Sequence, residues 1–174
     1  MANTSGYHSG DLVFCHSNGM ISRLIQFGQR IRWKKNYQYN HTAILDTWDD
    51  ARGEWTVIQA EGKGVTRGRR LSQIAPGGKL VIVPLPDGAN RSDFLFFLRS
   101  QVGQKYGFIT DICIGFNILS PRVIRIDFRQ NGTWICSAVI AAGLWFSGWE
   151  PSANIPDVYQ VTPAELYGLV HPTA

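Results

Sequence analysis

The sequence is poor in the groups that usually mark a cross-linked scaffold or a metal centre. It has three cysteines, Cys15, Cys113 and Cys136, an odd number with no metal-type spacing. That argues against a disulfide framework and against a zinc ribbon. The four histidines, His8, His16, His41 and His171, are scattered, and nothing in the chain calls for a metal or another cofactor. Long apolar runs are missing too: Asp111 and Asn117 break the longest candidate, so no stretch reaches membrane-spanning length. The start, Met1 to Gly6, lacks the basic and then apolar segments of a signal peptide. The expectation is therefore cytoplasmic synthesis, with any export by another route, such as delivery as a virion or phage component. Gly62-Lys63-Gly64-Val65 reads as a tight, glycine-rich exit, and it lacks the helix and the terminal Lys-Ser/Thr pair of a phosphate loop. No nucleic-acid motif is present, so no nucleic-acid partner is expected.

What is present describes a globular chain. Of 174 residues, 44% are hydrophobic and 17% charged, which suits one domain with a real core spanning residues 1–174. Six Trp and nine Phe point to a well-filled core or a sticky cleft. The net charge is +4, with basic residues gathered in Arg30-Ile31-Arg32-Trp33-Lys34-Lys35 and in Lys63, Arg67, Arg69 and Arg70. Such patches suit an anionic polymer or a membrane surface, or simply form a solvated face.

Periodicity orders the elements. Leu12 to Cys15 reads as a strand after the Gly10-Asp11 turn, and Ile21, Leu24, Ile25, Phe27 and Ile31 fall at helical spacing up to about Arg32. His41 to Asp46 and Trp55 to Glu61, around the turn Asp49 to Gly53, read as a hairpin. Lys79 to Pro84 reads as a third, central strand. Asn90 caps a helix running to Gly103. Gln104 to Phe108 is a turn presenting an aromatic, Ile109 to Leu119 a short buried helix, and Val123 to Phe128 an extended segment. Asn131-Gly132 is a turn. After it comes the apolar run Trp134 to Trp145, a buried helix capped by Thr133 or Asn131, and a last short helix covers Pro163 to Leu169. One α+β domain fits this order, with an antiparallel sheet packed against helices that include a cysteine-bearing one.

Cys136 then lies in the first turn of a buried helix. There, unpaired N–H groups and the positive end of the helix dipole favour the negative charge of a thiolate. This is where a cysteine nucleophile needs to be, and the competing reading is a core cysteine. A base is required. Among the histidines, His41 opens an otherwise apolar strand, whereas His8 and His171 lie near the chain ends. The facing strand brings Gln59 and Glu61, on one face, within range of His41, and either side chain can hold the imidazole in its productive tautomer.

These residues together resemble a family. Gly10-Asp11-Leu12-Val13-Phe14, His41-Thr42-Ala43-Ile44, Val57-Ile58-Gln59-Ala60 with Gly64-Val65, Tyr106-Gly107 and Cys136-Ser137 look like the NlpC-type cell-wall cysteine peptidase superfamily. More narrowly they look like its circularly permuted, YiiX-like branch, papain-like in site geometry and related to lecithin–retinol acyltransferase-like enzymes. The histidine strand precedes the cysteine helix here, the reverse of the unpermuted order. The resemblance runs over about residues 10 to 148 of the chain. It implies a single-domain permuted papain-like fold with Cys136 as nucleophile, His41 as base and a polar third residue on the next strand. Where the branch often shows Val-Ile-Glu-Ala, this chain has Gln59, with Glu61 as the alternative third residue. Tyr106 matches the tyrosine that precedes the cysteine, a group for substrate or oxyanion.

The expectation is a thiol hydrolase that cleaves an amide or peptide bond, in bacterial cell-wall peptidoglycan, through an acyl-cysteine intermediate. Two other readings compete. One is a lipid acyltransferase or thioesterase acting on an acyl substrate. The other is a structural module with a vestigial site, held by assembly partners in a larger particle, a phage particle among them.

Overall fold

A computed structural model of the chain describes residues 6–16, 30, 38–74, 76, 79–106, 133–151 and 161–171. The Arg30 to Lys35 patch (Arg30 apart), the expected helices before Arg32 and over Ile109 to Leu119, the Val123 to Phe128 segment, the Asn131-Gly132 turn and Cys113 lie outside these residues.

Five strands form one antiparallel sheet: β1 (Leu12–Cys15), β2 (His41–Asp49), β3 (Glu54–Glu61), β4 (Gly64–Arg70) and β5 (Leu80–Val83), in the order β4-β3-β2-β1-β5. Side-chain alternation divides its residues between two apolar clusters. Leu12, Phe14, Ile44, Ile58 and Ala60 pack with helices α2 (Arg91–Ser100), α3 (Cys136–Phe146) and α4 (Pro163–Val170). Val13, Cys15, Ala43, Leu45, Trp55 and Val57 pack with Ile74 of α1 (Leu71–Ile74). A separate parallel pair, β6 (Lys105–Tyr106) with β7 (Thr133–Trp134), leads into α3.

The hairpin reading of β2 and β3 agrees with the structure, and three expectations are corrected. Among the described strands, Lys79 to Pro84 supplies an edge strand and not a central one, because β1, buried along its whole length, takes the place between β2 and β5. The stretch after Gly62 is not merely a glycine-rich exit. Glu61 pairs with Gly64, so Gly62-Lys63 is a two-residue hairpin loop and the chain returns as β4. The N-cap of the cysteine helix is not Thr133, and Asn131 lies outside the described residues. Thr133 is committed to β7, and the N-cap is Ile135, extended at φ −95° and ψ 158° and offering no side-chain bond.

The elements are joined closely where the site is built. Gly143 lets α3 approach α2: a Cβ there would stand 3.0 Å from the Phe94 ring and 3.2 Å from that of Phe97. Asp11, 2% exposed, accepts from Arg91 Nη1 at 2.9 Å and from the Leu85 N–H at 3.3 Å, which ties β1 to α2 and to the segment after β5. Asp46, 1% exposed, holds Arg67 of β4 and Arg99 of α2 together on one carboxylate.

Candidate active site

Cys136 is the first residue of α3, buried to 5% exposure. The helix starts here because the preceding backbone pairs with β6 and the residues that follow, Ser137 to Ala141, are small or apolar and wholly buried. With no side chain capping the helix, the first-turn N–H groups keep their polarity directed at the thiol's surroundings. Ser137 is accounted for structurally: its hydroxyl donates to the Val161 carbonyl at 2.5 Å.

His41, the first residue of β2, meets this thiol. Its imidazole is hydrogen-bonded to Cys136 on one side and to Gln59 on the other. Nε2–H donates to Gln59 Oε1 at 2.7 Å, which leaves Nδ1 as the nitrogen for the cysteine. The strand register explains the second contact. Ala43 pairs with Gln59, so His41, two residues before Ala43, is the diagonal cross-strand neighbour of Gln59 on the same face. Burial acts against a charge on His41. The Cys136 hydrogen bond and charge, the Gln59 bond and the Glu61 carboxylate outweigh it and hold the imidazole pKa above its ordinary value. The thiol, the amide and the carboxylate thus favour the protonated imidazole against its burial.

The two candidates for the third residue are separated. Gln59, 2% exposed, carries the bond to His41. Glu61 is ion-paired with Arg69 Nη1 at 2.6 Å and reaches His41 through its charge. Tyr106 is placed by its backbone: it pairs with Trp134, two residues before Cys136. The other histidines stay apart from the cysteine. His8 is exposed beside Asp11, His16 Nδ1 faces the Gln38 carbonyl at 3.3 Å, and His171 stacks on Tyr167 with ring centroids 5.2 Å apart. His171 is therefore anchored at the end of α4, its N–H donating to the Tyr167 carbonyl at 2.9 Å.

Some residues of this neighbourhood escape sequence reasoning. Cys15 is the register partner of His41, and burial, followed by the charge of Cys136, pushes its thiol up to about 12. It stays protonated at neutral pH, a packing residue in register with the histidine that meets Cys136. In the basic patch, Arg67, Arg69 and Arg70 are paired with Asp46, Glu61 and Glu54, so its charge is largely spent within the sheet. Alternation in β4 is the signal that would have found this, had the strand been recognised.

The described residues thus define an α+β protein whose helix-start cysteine meets a strand histidine backed by an amide. No protein-family model matches the chain, and no curated protein matches it either. Among solved structures it is similar to the metalloprotein YiiX from Escherichia coli O157:H7, DUF1105, with a TM-score of 0.54 and 18% sequence identity. The match covers 80% of this chain and 66% of that one, so the chain spans just under two thirds of YiiX. The chain has a YiiX-like fold.

Proposed function

We propose that the protein is a thiol hydrolase that opens an amide bond through an acyl-cysteine intermediate, with the papain-like permuted arrangement of the NlpC-type superfamily. The observation that carries this reading is His41 lying between Cys136 and Gln59, with Nε2–H on the amide oxygen at 2.7 Å. That bond fixes the tautomer in which Nδ1 accepts the thiol proton. The thiolate attacks the carbonyl carbon, and the developing oxyanion lies near the Cys136 N–H at the uncapped start of α3. Collapse of the tetrahedral intermediate expels the amine, which takes the proton from His41. His41 then draws a proton from water, whose hydroxide releases the acyl group and restores the thiol. Tyr106 is carried into the site by the resemblance, as is the cell-wall peptide as substrate.

The metal named for YiiX is not carried over. Among the described residues no three His, Cys, Asp or Glu side chains come together as a metal-binding group, and the third member of this site is a neutral amide, where the metals that choose histidine and thiolate ligands take a further imidazole, thiolate or carboxylate. No step is routed through a metal.

A lipid acyl substrate is the second reading. It is favoured by Phe96, Trp145 and Phe146 on α2 and α3, exposed at 68%, 56% and 56%, a surface suited to an apolar interface. The test is release of new amino groups from purified peptidoglycan, beside fatty-acid release from phospholipid micelles. Amine release that disappears in Cys136→Ala, with an unchanged circular-dichroism spectrum, supports the amidase. Fatty-acid release alone moves the assignment to lipid, and undiminished activity in Cys136→Ala overturns the mechanism.

A further inference from the structure

Five buried side-chain polar atoms have no partner among the described residues, on Thr42, Trp48, Trp55, Gln59 and Thr66, and two of them, Nε2 of Gln59 and Oγ1 of Thr66, face each other across β3 and β4 at the candidate triad. Orphaned buried donors are rare in folded proteins and call for an explanation. These two are not independent, because Gln59 and Thr66 are direct register partners in β3 and β4. Partners in such a pair point to the same face with Cβ atoms about 5 Å apart. A turn of the threonine hydroxyl, or one bridging water, then joins the amide N–H to the hydroxyl oxygen.

We propose that Thr66 is a positioning residue, which accepts from Gln59 Nε2 and so locks the amide with Oε1 facing His41. This rests on the thiol-hydrolase reading and names the part of the site that gives the amide its direction. A primary amide needs such a lock. Turned over, it presents an N–H to His41 Nε2, which selects the opposite tautomer and leaves Nδ1 protonated against the thiol. A carboxylate needs no lock, since its two oxygens accept equally well. This chain has glutamine where the resemblance leads one to expect glutamate, so a second residue must supply the orientation that glutamate carries by itself.

The groups facing His41 are Cys136 from α3, Cys15 in register on β1, and Glu61 with its partner Arg69 from β3 and β4. Thr66 adds no charge to this set, so its effect passes through the amide alone.

The test replaces Thr66 by Val, which keeps the β-branched shape that the strand favours and removes the acceptor. Four quantities are read: the rate of Cys136 alkylation by iodoacetamide, resolved by mass spectrometry; the His41 titration by NMR; and kcat and KM for amine release from purified peptidoglycan. Thr66→Val should slow alkylation and lower kcat by roughly ten-fold, a loss like the smaller ones seen when the group orienting a metal-bound histidine is removed. KM should hold, and the His41 titration should move to lower pH. Thr66→Ser should restore the three that change. In a Gln59→Glu background Thr66→Val should change the alkylation rate less than two-fold. An equal loss in both backgrounds, or no loss in the parent, overturns the proposal. Failure of the catalytic reading is a different result: the parent's Cys136 alkylation is then no faster than that of His41→Ala, whatever stands at position 66.

Discussion

Gly64 is the position where one added carbon does the most damage. Its φ is +109°, and a Cβ there would stand 2.3 Å from the carbonyl oxygen of Gln104 and 3.3 Å from the carbonyl carbon. The obstacle is backbone, so no side chain can swing aside. The two segments are joined there by Val65 N–H to Gln104 O at 2.8 Å and Gly103 N–H to Val65 O at 2.9 Å. Forcing alanine into this conformation costs about 1–2 kcal/mol. Moving Gln104 away weakens two backbone hydrogen bonds of about 1 kcal/mol each. The sum is about 3 kcal/mol, or roughly 6–12 °C in Tm for a chain of this length. Gly62, two residues earlier, has open space around it, and Gly62→Ala should leave stability within about 0.5 kcal/mol of the parent. Thermal melts of the pair by circular dichroism make the comparison. Because Gln104 adjoins β6, which pairs with β7 just before Cys136, Gly64→Ala should also change the alkylation rate of Cys136. Equal melting temperatures for the two variants would refute the reasoning.

The remaining predictions concern charge. Arg67→Ala and Arg99→Ala should each cost about 1 kcal/mol, since both guanidiniums are substantially exposed and solvent-screened. The double variant should cost about 3–5 kcal/mol, because it leaves the carboxylate of Asp46 buried and unpaired; simple additivity in urea melts would contradict this. Burial raises the Asp46 pKa, but the Arg67, Arg99 and Thr47 bonds bring it below its ordinary value. The stability it contributes is therefore present above the unfolded value of about 3.9 and lost as pH falls through the folded one. His41 has the opposite sign. Its raised pKa contributes stability that is complete below about pH 6.5 and lost as pH rises through the folded value. Cys136→Ala removes the main supports of that shift and leaves the burial that opposes it, so the His41 NMR titration should fall. A titration that stays in place would show that the thiol is not its partner.

Much of this was legible in the chain. Alternating and continuous apolar residues gave β1, β2 and β3 to within a few residues, because each buries one or both faces in a core that only apolar side chains can fill. Asn90 announced α2 through a side chain that accepts from the N–H groups of Ser92 and Asp93, and the small apolar residues after Cys136 announced a buried helix. His41 and Cys136 stood out for their residue type and local setting. Three things required the tertiary structure. Strand order is set by which strands compete for burial on both faces, and that made β1 internal and β5 an edge among the described strands. The start of α3 was set by β7 pairing with a segment some thirty residues earlier in the chain, which displaced the expected cap. The role of each polar residue on β3 depended on the register with its neighbours. Gln59 lies diagonal to His41 and opposite Thr66, whereas Glu61 is drawn to Arg69. Composition and spacing name the groups that can do chemistry. Register assigns their partners, because a shift of one residue along a strand turns every side chain to the opposite face.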